Sequence, residues 1–416
     1  MPASAWLRAA SLVVGDGSAP LDDRAVRIED GLIAEVVPGS QAPATAIHYQ
    51  NATITPGFVD VHVHLCFEVK ADHDTARAFV MESTRDRLFA TALRHGRDCL
   101  RAGVTTVRDL GDRDRIVATL RDLVAANVLP GPRIQSAGTP VTITAGHLGW
   151  LGGRADSPDE LVRLTRRLVA DGSDVIKVMA SGGNMTKESN TRVPQFSVEE
   201  LRLIVREAHR GRLPVAAHAH NAEAVRRAIA AGIDTIEHCG WFDVDGTLVL
   251  ADDDISTMRD AGTVASLTMS GIQRQLLPDP ERALGDAVTV ARSMSRSGGD
   301  LYADHDWARR MLAGGAGVVL SSDAGTRFTP FEGFLQSLRC GVVALGIDAA
   351  QAISLATLPA AKVLRQDHRI GSVEPGKIAD LVVLDGVIAE GSTALGTVQE
   401  VRQAGRVTVR DGRLLW

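Results

Sequence analysis

Apolar and polar positions alternate along this chain in two different styles. Residues 5–55 carry short apolar runs, Ser11-Leu12-Val13-Val14, Ala25-Val26-Arg27-Ile28 and Leu32-Ile33-Ala34-Glu35-Val36-Val37, separated by Gly-Asp-Gly and Glu-Asp-Gly turn signals. Residues 370–416 repeat that style in Asp380-Leu381-Val382-Val383-Leu384-Asp385-Gly386 and from Val398 to Leu415. Short strands at this spacing predict a small β-sandwich. Neither end is long enough to bury a core alone, so residues 1–55 and 368–416 are expected to pair as one composite sandwich bracketing the rest.

The middle, residues 56–367, alternates strand-like and helix-like segments. Strands are predicted at Phe58–His64, Val104–Leu110, Arg133–Gly138, Val175–Ala180, Val215–His220, Thr235–Cys239, Val264–Thr268 and Val318–Asp323. Helical periodicity covers 74–101, 158–171, 198–210, 222–231 and 303–313. The joint from helix to strand recurs as Ala102-Gly103-Val104, Ala231-Gly232-Ile233, Ala261-Gly262-Thr263 and Ala316-Gly317-Val318, where glycine supplies the left-handed residue that ends a helix. Eight such units predict an α/β fold, a (β/α)8 TIM barrel over 56–367. An open doubly wound sheet is the competing arrangement, and no Gly-x-Gly-x-x-Gly follows the first strand to support it. Two connections, Ser181–Gln195 and Met269–Asp300, are long enough to face a substrate.

Composition narrows the class. In 416 residues there are 45 Lys+Arg, 51 Asp+Glu and a net charge of −6, with 45% hydrophobic and 23% charged residues. That is ordinary globular usage, with no basic cluster for nucleic acid or a membrane surface and no apolar run of the roughly 20 residues that span a bilayer. Met1–Val14 makes a poor signal peptide. The four cysteines, Cys66, Cys99, Cys239 and Cys340, form no CxxC pair and read as reduced thiols of a cytoplasmic protein. Only five of the cations are lysines, so a lysine in an apolar strand is informative.

In barrels of this kind the chemistry sits at the carboxyl ends of the strands. Those ends carry His62 and His64, Lys177, His218 and His220, His238, and Asp323. Positions i and i+2 of a strand share a face, so His62 and His64 point inward together, about 7 Å apart at Cα, close enough to chelate one metal ion. Lys177 lies in Val175-Ile176-Lys177-Val178-Met179-Ala180, where burial depresses the amine's pKa and frees it to react. Carbamate formation with CO₂, a Schiff base and a head group reaching water are its three readings; the surrounding histidines favour a carbamate bridging two cations. Asp323 suits a proton shuttle between water and a leaving group. The other histidines, His48, His73, His95, His209, His305 and His368, read as structural or exposed.

These residues resemble the amidohydrolase superfamily. The resemblance rests on Pro56-Gly57-Phe58-Val59-Asp60-Val61-His62-Val63-His64, Lys177, a fifth-strand histidine, His238, Asp323 and the closing Gly371-Ser372-Val373-Glu374-Pro375-Gly376-Lys377-Ile378-Ala379-Asp380-Leu381. Ala145-Gly146-His147, Ala180-Ser181-Gly182-Gly183, Ala217-His218-Ala219-His220 and Ile236-Glu237-His238 are similar to its prolidase-like dipeptidases and ochratoxinase-like amidases. The resemblance implies two divalent ions, Zn²⁺ foremost, with His62, His64 and Asp323 at one, His218 and His238 at the other, and carboxylated Lys177 and a hydroxide between. It implies hydrolysis of a linear amide in a small molecule, a dipeptide or N-acyl amino acid, with Asp323 as shuttle and His147 facing the substrate.

His218 and His220 remain alternatives for one ligand position; the spacing to Lys177 and His238 resembles the family better with His218, which leaves His220 as a catalytic or substrate contact. His220-Asn221-Ala222-Glu223 also reads as the His-x-x-Glu of mononuclear deaminases, which need no bridging lysine. Lys187 and Arg192 are candidates for binding a substrate carboxylate, and Trp150 and Trp241 for lining an apolar pocket, which keeps aryl amides, ureas and carbamates open. A homo-oligomer is expected, with no nucleic-acid or membrane partner.

Overall fold

The computed structural model describes residues 4–70, 72–269, 305–327 and 329–415. The first end forms β1 (Ser4–Leu12), β2 (Leu21–Glu29), β3 (Leu32–Pro38) and β4 (Ile47–Pro56). The middle contributes β5 (Phe58–Val63), β6 (Val104–Asp109), β7 (Arg133–Ser136), β8 (Ile176–Met179), β9 (Val215–His218), β10 (Thr235–Glu237), β11 (Val264–Thr268) and β12 (Gly317–Ser321). The last end adds β13 (Leu381–Asp385), β14 (Val398–Gln403), β15 (Arg406–Arg410) and β16 (Arg413–Leu414).

The two ends do join, but in one eight-stranded sheet ordered β16-β15-β14-β13-β4-β1-β2-β3; a pair of facing sheets is not seen among the described residues. The seam between the ends is antiparallel, from Leu381 opposite Pro56 to Asp385 opposite Ala52. Leu7, Leu12, Ile28, Ile54, Leu381 and Val383 form one apolar cluster on this sheet. Alternation made each run legible as a strand, but the partner of each strand depends on contacts across the whole chain.

All eight predicted central strands form, within two residues of their expected bounds, as two parallel sheets: β12-β11-β10-β9-β8 and β5-β6-β7. Backbone bonds cross both gaps between them. Asp323 N donates to His62 O and His64 N to Ala324 O, each at 2.8 Å, on one side. Val141 N donates to Lys177 O at 2.8 Å and Met179 N to Val141 O at 2.9 Å on the other. The inner strands are buried on both faces, β5, β6 and β8 without an exposed residue.

Helices form at Pro158–Ala170, Val198–Arg210 and Ala222–Ala231, each opened by a side-chain cap: Ser157, Ser197 with Glu200 in a capping box, and Asn221. Such caps satisfy amide groups that have no partner in the first turn. The single helix expected over 74–101 is instead two, His73–Glu82 and Arg85–Arg101. Ser83 is extended and the Thr84 hydroxyl accepts from Arg87 N at 3.3 Å, restarting the helix, because hydroxyls at such positions compete with helix continuation. Of the four Ala-Gly joints, Gly103, Gly232 and Gly262 are left-handed as expected, whereas at the fourth it is Gly315, at φ +78°, that turns the chain and Gly317 opens β12. The predicted helix 303–313 is described from Asp306 to Ala313, and most of the long connection Met269–Asp300 lies outside the described residues. No single described helix is long and apolar enough to cross a membrane.

Candidate active site

The strands end earlier than the residue pattern suggested, and the chemistry sits on or just past their ends. His64 follows β5, His238 follows β10 and Asp323 lies two residues past β12. His238 and Asp323 take left-handed backbone, at φ +66° and +59°, as do Cys239, Ala145 and Leu148 around them. Non-glycine residues in this region are uncommon and cluster at sites where the surroundings enforce them.

Together these ends enclose a cavity of about 530 Å³, lined by all seven predicted strand-end residues and by His147. Two groups of ligand atoms lie within 4.8 Å of one another: His62, His64 and Asp323, and His218, His220 and His238. The Nε2 atoms of His62 and His64 are each 3.5 Å from Asp323 Oδ1. The second group is packed ring to ring, with His218 4.6 Å from His238 and His220 stacked on His238 at 4.3 Å between centroids. Geometry thus gathers both His218 and His220.

Partners behind the rings set which nitrogen faces inward. His62 Nδ1 is 3.0 Å from Glu237 Oε2 and His238 Nδ1 is 2.8 Å from Thr268 Oγ1, leaving both Nε2 atoms for the cavity. His218 Nε2 is 3.2 Å from Gly182 O, leaving Nδ1. Outer partners of this kind orient metal-binding imidazoles. Burial, reinforced by neighbouring histidines, pushes the pKa of His147, His218 and His238 well below the usual imidazole value, so these rings are neutral donors.

Lys177 lines the same cavity, 1% exposed, and its Nζ has no hydrogen-bond partner among the described residues. Burial lowers its pKa to about 8; Glu237 and Asp323 hold it up and Arg108 pushes it further down. An unpartnered buried amine is costly unless chemistry or a ligand completes it. The donor set, imidazoles and a carboxylate at mutual chelating distance in the cavity that this amine also lines, fits divalent metal ions.

Sequence reasoning overlooked four residues here. Arg108 and Glu237, both fully buried, pair at 2.8 Å behind His62. Their signal was present: charged residues inside apolar strands. His73 and Arg327 also line the cavity, although His73 reads from sequence as structural or exposed. His73 opens the helix His73–Glu82 and Arg327 lies in the turn after β12, and where each comes to rest depends on tertiary contacts. Conversely, the candidate substrate residues lie elsewhere. Lys187 is exposed and pairs with Asp74 at 2.6 Å, and Arg192 donates to Val244 O at 2.9 Å. Trp150 packs against Phe67, 5.6 Å between rings, and fully buried Trp241 donates to Met311 Sδ at 3.1 Å. Glu223 faces outward and pairs with Arg227 at 2.8 Å.

An α/β fold that brings such donors to the carboxyl ends of parallel strands has the makings of a metal-assisted enzyme site. The amidohydrolase family model matches residues 53–414, and the chain belongs to that family. It is 28% identical over 410 residues to ochratoxinase of Aspergillus niger, covering 90% of this chain and 79% of the relative. It is likewise 28% identical over 393 residues to imidazolonepropionase of Micrococcus luteus, 89% of each. Among solved structures, a Xaa-Pro dipeptidase with methionine bound in its active site superposes with a TM-score of 0.79 at 27% identity, covering 97% of this chain and 99% of that one.

Proposed function

We propose that the chain hydrolyses the linear amide bond of a dipeptide or N-acyl amino acid, using two zinc ions bridged by carboxylated Lys177, on two parallel sheets that together act as one (β/α)8 ring. Lys177 carries this reading. Its free amine, made available by burial, forms an N–C bond to CO₂ and releases a proton, turning an unpartnered base into an anion suited to bridging two cations. His62, His64 and Asp323 would hold one ion, and His218 and His238 the other, with His220 beside them. Bound there, the metals supply a nucleophilic water at neutral pH and polarise the substrate carbonyl.

The chain's own groups complete the chemistry. Asp323, close to both His62 and His64, accepts a proton and delivers it to the leaving nitrogen. Neutral His147 can donate to the carbonyl oxygen as charge develops there. Leu148, Met179 and Met185 give the cavity an apolar side, which accommodates a side chain or an aryl group and keeps aryl amides, ureas and carbamates as a second substrate class. The outward course of Glu223 leaves a mononuclear deaminase without its shuttle. The similarity to a Xaa-Pro dipeptidase and an ochratoxinase supports the peptide and amide reading.

Reconstitution with zinc and bicarbonate tests it. Wild type is expected to hold about two zinc ions per chain and to cleave members of a panel of dipeptides and N-acyl amino acids. Lys177→Ala and His218→Asn should each lose zinc, while His220→Asn keeps both ions. Unchanged zinc content in Lys177→Ala would overturn the bridging role.

A further inference from the structure

The cavity sorts its charges unevenly. Lys177 and both groups of metal ligands line it, and among the described lining residues Arg327 carries the one guanidinium. Asp323 is the one carboxylate in that lining. A tight turn ties Arg327 to Asp323. Thr326 Oγ1 donates to Asp323 O at 2.7 Å, Gly325 N donates to Thr329 O at 3.0 Å and Thr329 N to Thr326 O at 3.1 Å. Gly325, at φ +98°, presses so closely on the His64 carbonyl that a β-carbon there would collide with it, which pins the turn to the end of β5.

We propose that Arg327 is the specificity residue that binds a free α-carboxylate on the amine side of the scissile amide, a proposal that rests on the amide-hydrolase reading above. The argument is one of connectivity. In an N-acyl amino acid or a dipeptide, the carboxylate lies two bonds from the nitrogen that Asp323 protonates. The group reading that carboxylate must therefore stand beside Asp323, on the cavity wall. Arg327 lines that wall four residues beyond Asp323 on the same turn, whereas Lys187 and Arg192 are outside the lining. A guanidinium presents two parallel N–H groups that match the two carboxylate oxygens. A site organised to pair a charge also rejects analogues that lack it. The substrate class is then an amino acid acylated on nitrogen, with its carboxylate free.

Zinc-loaded protein tests this with N-benzoyl-L-alanine and its C-terminal carboxamide. Wild type should favour the acid by about 100-fold in kcat/KM, the size of a charge-assisted contact in a closed site. In Arg327→Met that ratio should collapse to about one, chiefly through KM for the acid, and Arg327→Lys should retain a ratio of about ten. A wild-type ratio near one, or an Arg327→Met that slows both substrates equally, overturns the assignment while leaving the hydrolase intact. If zinc-loaded wild type cleaves neither compound nor any dipeptide or N-acyl amino acid, the amide-hydrolase reading falls and this one with it.

Discussion

His62 is oriented from behind by charge rather than by a neutral carbonyl, and that choice has a stability consequence. Arg108 Nε donates to Val61 O at 2.8 Å and its Nη2 reaches Glu237 Oε1 at 2.8 Å, while the other Glu237 oxygen lies 3.0 Å from His62 Nδ1. Burial pulls the Arg108 pKa below its usual value, and Glu237 counters that pull. Replacing one partner of a fully buried pair leaves the other charge stranded, which destabilises by about 3–5 kcal/mol. Glu237→Gln preserves shape but removes the charge. It should lower the urea midpoint by an amount equivalent to about 3 kcal/mol, and weaken zinc binding about 10–100-fold through a loosened His62. Urea unfolding and competitive zinc titration check both; a loss below about 1 kcal/mol with unchanged zinc affinity would show the pair to be incidental.

Between residue and fold stand the loops that the strands present. The Ser181–Gln195 connection begins with two glycines whose role is close approach. A β-carbon on Gly183 would stand 2.5 Å from the His147 ring, and one on Gly182 would strike the Asn190 backbone. Gly183→Ala is therefore expected to displace His147, lowering kcat about tenfold or more while metal content stays near the wild-type level, since His147 is not among the proposed ligands and the Gly182 carbonyl still holds His218. Steady-state kinetics beside metal analysis decides it; unchanged kcat would place His147 outside the chemistry. This loop also shows where sequence legibility ends. Strand-end residues could be read because a two-residue period dictates the face on which His62 and His64 lie. Lys187 and Arg192 could not, because a loop side chain goes wherever a partner waits, here Asp74 and the Val244 carbonyl. The tryptophans beside His147 and His238 turned into the core for the same reason: an indole is a large apolar body, and burial outweighed nearness in sequence to the site. Arg327 escaped notice as one arginine among many, distinguished only by the turn that carries it.

At the scale of the whole molecule, the outer helices reach the site through His95. It lies on the helix Arg85–Arg101, its Nδ1 bonds the Leu65 carbonyl at 2.9 Å just past His64, and its ring stacks on Phe331 at 4.1 Å. Burial lowers its pKa to about 4, against a partial opposing effect of the Leu65 bond. The folded protein thus binds fewer protons than the unfolded chain between pH 6.5 and 4, so this residue's contribution to stability is complete above pH 6.5 and is lost as pH falls toward 4. Asp60 and Asp112 act in the opposite sense. Burial raises both to about 7, so between roughly pH 4 and 7 the fold holds protons that the unfolded chain has released, and acidification favours it. The full stability curve is the sum, and only a difference between proteins isolates one group. His95→Phe keeps a ring against Phe331 and removes the titrating nitrogen. At pH 7.5 it should be less stable than wild type by about 1 kcal/mol, the value of the lost bond to Leu65. Wild type should then lose on the order of 2–3 kcal/mol more than the variant by pH 4, so the two stability curves cross near pH 5 to 6. Because both proteins carry the same candidate metal ligands, any acid release of bound metal cancels in the comparison. Urea unfolding at half-unit pH steps measures the crossing; parallel curves from pH 7.5 to 4 would mean that His95 takes up its proton without leaving the Leu65 carbonyl, and that this buried imidazole does not couple the helix layer to the chain end beside His64.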